Sequence, residues 1–199
     1  MMPLILASSS PRRKELLERL GIEFQVIPSL VDEVHHDGES PEDFALRVSM
    51  EKALAVASGL NSDSVVIGAD TIVLVEGEIL GKPRDAEDAR SMLEKISGRE
   101  HGVITGFSVV KPKDQILHRE YVESRVKIKT LAPWEIEGYI KTREPMDKAG
   151  AYGAQGVGAF MIEQIRGSYT NVVGLPLSQL VDVLTRLRIL KLFGEDGNS

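Results

Sequence analysis

Short apolar runs alternate along this chain with stretches whose apolar residues recur every three or four positions, and that alternation predicts an α/β protein. Leu4-Ile5-Leu6-Ala7 reads as a buried strand. Leu16, Leu17 and Leu20 follow at helical spacing, with Ser10 as N-cap, Pro11 at the first helical position and Gly21 just past the end. Phe24 to Ile27 reads as a second strand, and a loop runs from Pro28 to Glu39. Ser40-Pro41-Glu42-Asp43 opens a helix to about Gly59, whose apolar stripe is Phe44, Val48 and Val56, with Met50 and Ala53 off that spacing. Val65 to Ala69 is a continuous apolar run, as in a strand covered on both faces. It continues through Ile72 to Val75 into a hairpin at Glu76-Gly77, returning through Ile79-Leu80.

Asp85 caps a helix through Ser97, closed by Gly98, with Met92, Leu93 and Ile96 inward. Val103 to Val110 and Ile116 to Ile128 form an antiparallel hairpin around Lys111-Pro112-Lys113-Asp114; Val126 and Ile128 alternate with Lys127 and Lys129, so one face is wet. A helix from Pro133 to Lys141 is expected to bury Ile136, Ile140 and Trp134. Ala159 to Ile165 reads as a strand, and a last helix ends near Leu187. The tail from Gly194 to Ser199 reads as disordered.

Composition narrows the class. The 199 residues are 42% hydrophobic and 27% charged, ordinary for a globular protein long enough to bury its own core. With no cysteine there is no disulfide, thiolate zinc site or cysteine nucleophile. A net charge of −6 argues against a broad nucleic-acid surface, though local basic patches can still hold small anions. No membrane-length apolar run and no secretory leader pattern are visible, so a cytoplasmic enzyme or binding protein is expected.

Three stretches carry candidate chemistry. Ser8-Ser9-Ser10-Pro11-Arg12-Arg13 places cations in a first helical turn, where the macrodipole favours anions. Two guanidinium forks, serine hydroxyls and free backbone N–H groups meeting at one point suit a phosphate better than water. Asp70-Thr71 follows the small pair Gly68-Ala69 at the end of an apolar run, and Asp70 is the leading catalytic candidate. A turn cap is the alternative for Asp70, weakened because the chain continues extended. Asp147 to Gly158 contains four glycines, but precedes a strand and lacks the P-loop pattern, so it fits neither familiar nucleotide loop. Its glycines permit close backbone approach to a flat ligand, and Gln155 can read a base edge; a tight structural loop is the alternative. Asp32, Glu33, His35, His36 and Asp37 could be metal ligands, yet without convergent spacing they read first as a solvated loop. Lys52 borders the buried side of its helix, where most lysines snorkel to water.

Together Ser8 to Arg13, Gly68-Ala69-Asp70-Thr71, Gly81-Lys82-Pro83, Gly150 to Gly156 and Val173-Gly174-Leu175-Pro176-Leu177 resemble the Maf family of nucleoside triphosphate pyrophosphatases, in family order from Leu4 to about Leu187. The resemblance implies a mixed α/β fold of two lobes around a deep cleft, related to the inosine triphosphate pyrophosphatases. It implies one domain over residues 1–187 with a C-terminal tail over 188–199, assembled as a cytoplasmic homodimer. Arg12, Thr71 and Gln155 match the branch acting on dTTP and UTP, whereas the 7-methyl-GTP branch carries other residues at all three places. The activity implied is cleavage between the α and β phosphates. Asp70 would be the base, and Glu33 and Asp70 would hold Mg²⁺ or Mn²⁺. Lys82, Lys52, Arg12, Arg13 and Ser8 would hold the phosphates, and Thr71 and Gln155 would select a pyrimidine. No nucleic-acid or membrane partner is expected. The alternatives are an enzyme preferring 7-methyl-GTP, and a nucleotide-binding regulator of cell division without significant turnover.

Overall fold

The structure, a computed structural model, describes residues 2–60, 63–113 and 115–193. Asp114 of the expected turn, and the expected disordered tail Gly194–Ser199, lie outside the described residues.

The chain opens with strand β1 (Leu4–Ala7), helix α1 (Pro11–Glu18) and strand β2 (Gln25–Val26). Helix α2 (Pro41–Ala57), strand β3 (Val65–Val75) and strand β4 (Glu78–Leu80) follow, then helix α3 (Ala86–Ile96). Strands β5 (Glu100–Lys111) and β6 (Gln115–Ile128) form the long hairpin, followed by helix α4 (Pro133–Lys141). Strand β7 (Ile162–Arg166) and helices α5 (Tyr169–Val173) and α6 (Leu177–Arg186) complete the fold. The expected caps form: the Ser10, Ser40 and Asp85 side chains accept from the backbone N–H groups of Arg13, Asp43 and Asp88.

The sheet runs β2-β1-β3-β5-β6-β7, with β4 beside β3. β1 is parallel to both β2 and β3, and the other pairings are antiparallel. One feature of the register sets up everything else. β1 leaves β3 at Gly68, and β4 joins it only at Val73. Residues 69–72 therefore have no strand beside them on that edge, while on the other edge Asp70 and Thr71 pair with Gly106 and Thr105 of β5. The sheet is notched there.

Side chains alternate across β3, and its two faces are covered differently. Val66 and Ile72 face α2, packing with Ala53, Val56 and Ala57 or with Phe44, Ala45 and Val48. Ile67 and Ala69 face the opposite way into a core built with Leu16, Leu17, Leu180 and Leu184. Val73 and Val75, farther along that second face, join another core with Leu93, Ile96, Ile136 and Tyr139. α2 lies almost directly on the sheet. A Cβ at Gly68 would fall 2.1 Å from the Ser49 carbonyl oxygen, and one at Gly106 would fall 2.4 Å from that of Ala45. Ser49 and Ser108 hydrogen-bond across this contact at 2.9 Å.

The structure corrects several expectations. Trp134 is 74% exposed rather than core. It lies about 200° around the helix from Ile136, so the arc that buries Ile136, Tyr139 and Ile140 turns Trp134 to solvent. Ala159 to Met161 belongs to a 3₁₀ turn, and the strand begins only at Ile162. The short helix α5 was not visible as a periodic pattern, being five residues long. Ala53, off the expected stripe, is fully buried because the close approach of α2 widens its covered face. Ile189 and Leu190, beyond residue 187, also pack into the first core.

Candidate active site

A cleft of about 440 Å³ opens at the notch. Because residues 69–72 have no strand neighbour on that edge, side chains from both faces of β3 border one space, and Asp70 and Thr71 both line it.

Asp70 faces α2 and is buried, as is Lys52, and the Lys52 Nζ donates to Asp70 Oδ1 at 2.7 Å. The same ammonium donates to Glu33 Oε1 at 2.7 Å. Lys82, arriving from the end of β4, reaches the Glu33 carboxylate at 3.2 Å. Lys52 thus does not snorkel: it is the central cation of an acid–lysine–acid–lysine chain. Burial pushes the Glu33 carboxyl up, but Lys52 and then Lys82 outweigh it, leaving its pKa below the ordinary carboxylate value. The loop read as solvated is mostly so, with Asp32, His36 and Asp37 exposed, yet it delivers Glu33 to the site.

The opposite wall comes from β1 and α1. The Arg13 guanidinium spans it, donating from Nε to the Gly174 carbonyl at 2.7 Å and from its terminal nitrogens to Thr71 Oγ1 at 3.0 Å and Ser8 Oγ at 3.3 Å. Burial draws its pKa below the ordinary value, while Asp70 and Glu33 pull it back up. Ser8 Oγ also accepts from the Ser10 N–H at 3.1 Å. Arg12 points elsewhere. It meets Asp147 Oδ2 at 2.8 Å and the Asp147 carbonyl at 3.3 Å, so the anion among these cations is supplied by the protein itself.

The glycine-rich stretch divides into two parts. Gly153, Ala154 and Gln155 line the cleft, whereas Gly156 and Gly158 pack on Glu144 and Tyr139. The Glu144 carboxylate accepts from the Val157 and Gly158 N–H groups at 2.9 and 3.0 Å, and from the Tyr139 hydroxyl at 3.0 Å. Cleft lining and tight packing on Glu144 and Tyr139 therefore fall to neighbouring halves of one loop. Tyr152 lines the cleft and is tied behind it to His101 Nε2 at 2.7 Å.

Ser8, Arg12, Arg13, Glu33, Lys52, Asp70, Thr71, Lys82 and Gln155 all border this one cleft. Sequence reasoning missed Asp147, His101 and Arg47. Arg47 stands four residues before Glu51, a readable helical ion pair at 3.2 Å, but its other partners lie across a loop. The hard oxygen donors Glu33 and Asp70 converge on one cationic point, now held by the Lys52 ammonium, so their chemistry fits a divalent cation. Among the described residues no cluster of three or more His, Asp or Glu forms, so such a cation would draw its remaining ligands from phosphate and water.

A family model described as Maf-like protein matches residues 3–187. The chain belongs to the Maf family. Its relatives in that family include a dTTP/UTP pyrophosphatase of Clostridioides difficile, 50% identical and covering 96% of this chain and 98% of the relative. Another, a dTTP/UTP pyrophosphatase of Syntrophus aciditrophicus, is 49% identical over 96% of this chain and 93% of its own. Among solved structures, a HAM1 protein from Coxiella burnetii superposes with a TM-score of 0.54 at 17% identity, over 94% of this Maf chain and all of that one; the likeness is one of fold. Among the described residues no helix is long and apolar enough to cross a membrane.

Proposed function

We propose that this Maf protein hydrolyses dTTP and UTP to the nucleoside monophosphate and pyrophosphate. The observation that carries the reading is the Glu33–Lys52–Asp70 chain, buried at Lys52 and Asp70, opening into the same cleft as Arg13, Lys82 and Gln155. The names of the relatives support the substrate class.

Asp70 acts as general base. It takes a proton from water as the water oxygen bonds to the α-phosphorus, and the bond from that phosphorus to the bridging oxygen breaks, releasing pyrophosphate. Lys52 holds the Asp70 carboxylate at 2.7 Å and fixes its orientation. Lys82, more exposed, swings from Glu33 onto the leaving phosphates, and Arg12 exchanges Asp147 for a phosphate oxygen. Arg13 stays where it is, tying Ser8 and Thr71 into one wall. Glu33 and Asp70 would hold Mg²⁺ or Mn²⁺, which when bound lowers the pKa of water and neutralises developing charge. Thr71 and Gln155 discriminate the base. A homodimer in the cytoplasm, with neither nucleic acid nor membrane as partner, goes with this reading; the net charge of −6 suits a small-molecule enzyme.

The test is pyrophosphate release from purified protein with Mg²⁺ or Mn²⁺ across dTTP, UTP, CTP, dATP, GTP and 7-methyl-GTP. Conversion of dTTP and UTP to their monophosphates is expected. Preference for 7-methyl-GTP overturns the use of Arg12, Thr71 and Gln155. Tight binding without turnover replaces the enzyme with a regulator.

A further inference from the structure

Glu33 reaches a buried ammonium from a segment that has almost nothing to hold it. Residues 28–39 form no regular secondary structure, and two of the apolar side chains there face water, Leu30 at 97% and Val34 at 58% exposure. Apolar burial cannot fix such a loop, so polar contacts must.

Apart from the lysines on Glu33, one side chain ties this loop to α2 by hydrogen bonds. Arg47, half-buried on α2, donates from Nε to Glu39 Oε1 at 2.7 Å and from Nη2 to Glu39 Oε2 at 2.8 Å. The same Nη2 donates to the Val34 carbonyl at 2.8 Å, on the residue directly after Glu33. Glu51, one turn along the helix, aims the fork by accepting from Nη1 at 3.2 Å. The Glu39 carboxylate in turn accepts from the His36 N–H at 3.3 Å, and His35 Nε2 meets the Glu39 carbonyl at 2.9 Å. Phe44 of α2 lies under the Arg47 guanidinium at 5.5 Å and meets the His35 ring edge to face at 5.3 Å.

We propose that Arg47 is a positioning residue: its guanidinium clamps residues 34–39 to α2, and so sets the place of Glu33 between Lys52 and Lys82. The geometry has a simple logic. Lys52 and Arg47 stand on one rigid helix, so the loop is pinned to that helix on both sides of the peptide linking Glu33 to Val34. A bidentate fork plus a carbonyl acceptor needs three N–H vectors in fixed directions, which guanidinium has and ammonium lacks. The inference rests on the assignment of Glu33 to the reaction.

Two measurements test it separately. Amide hydrogen exchange across residues 28–39 reads the clamp without reference to turnover. Arg47→Lys and Arg47→Met are expected to speed exchange there at least about tenfold, with the rest of α2 unchanged. Unchanged exchange in both variants overturns the clamp. The kinetic arm is a double-mutant cycle on dTTP hydrolysis with Arg47→Met and Glu33→Gln. Arg47→Met alone is expected to lower kcat about 10–100-fold, the usual effect of losing the partner that orients a working side chain. In the Glu33→Gln background it is expected to have no further effect, and Arg47→Lys to restore little. A full additional loss in that background means that Arg47 acts elsewhere, and the proposal falls. A Glu33→Gln enzyme with wild-type rates removes Glu33 from the reaction and the kinetic half of the proposal with it. Absence of turnover in the wild-type protein overturns the proposed activity, while the exchange arm still decides the clamp.

Discussion

Replacing Asp70 by asparagine separates chemistry from folding at this site, because the structure provides a second partner for the buried cation. Lys52 and Asp70 expose 8% and 4% of their side chains, and stranding one charge of such a pair costs about 3–5 kcal/mol. Asp70→Asn strands none, since Lys52 Nζ remains 2.7 Å from Glu33 and the asparagine carbonyl oxygen can still accept. What is lost is the charge on one hydrogen bond, about 1–2 kcal/mol. For a chain of 199 residues that lowers Tm by about 2–8 °C. The rate consequence is far larger. Amide nitrogen cannot take the proton from water, and removal of a general base is expected to lower kcat about 10²–10⁴-fold. The two quantities are read on one preparation, by pyrophosphate release from dTTP and by urea denaturation. Turnover within tenfold of wild type would refute the base assignment. A stability loss above about 4 kcal/mol would show instead that Asp70 serves the fold more than the reaction.

Two further outcomes follow from the packing around β3 and His101. Burial first of all holds the His101 imidazole at about 4, below its ordinary 6.5. Between those values the unfolded chain binds a proton that the folded one refuses, so stability falls as pH drops from 6.5 towards 4, by about 3 kcal/mol for this group. His101→Gln is expected to flatten that part of the pH–stability curve, and an identical pH dependence in variant and wild type would contradict it. Gly68→Ala places a methyl 2.1 Å from the Ser49 carbonyl, so α2 must lift. A loss of about 1–3 kcal/mol is expected by denaturant titration, with a fall in dTTP turnover as Lys52 retreats from Asp70; a wild-type midpoint would show that the helix yields freely.

Much of this fold was legible because local chemistry and tertiary structure agree. Ser10, Ser40 and Asp85 cap the helices they were expected to cap, and the apolar run from Val65 is buried throughout. Trp134 was misread because hydrophobicity alone does not say which arc of a nine-residue helix faces inward. Most candidate site residues stood in recognisable motifs, but Glu33 and Lys52 did not, and the arrangement of the whole was not legible. Nothing in the spacing from Glu33 to Lys52 to Asp70 shows that one ammonium bridges both acids, since that depends on how closely α2 beds on the sheet. Arg47 and Asp147 escaped for a related reason. Each makes its decisive contact with a loop backbone or a distant helix start, where sequence carries no period to follow.

The notch in the sheet also fixes how this protein can move. β3, β5 and β6 run unbroken past the cleft, contributing Ile67, Phe107 and Val122 to the packing on one side and Val73, Val103 and Val126 to the core on the other. The two ends are joined by a three-stranded beam rather than by a linker. Gripping a nucleotide must therefore flex and twist that beam as a spring, with small amplitude and a restoring force, and the loops at the mouth must supply whatever larger travel the reaction needs.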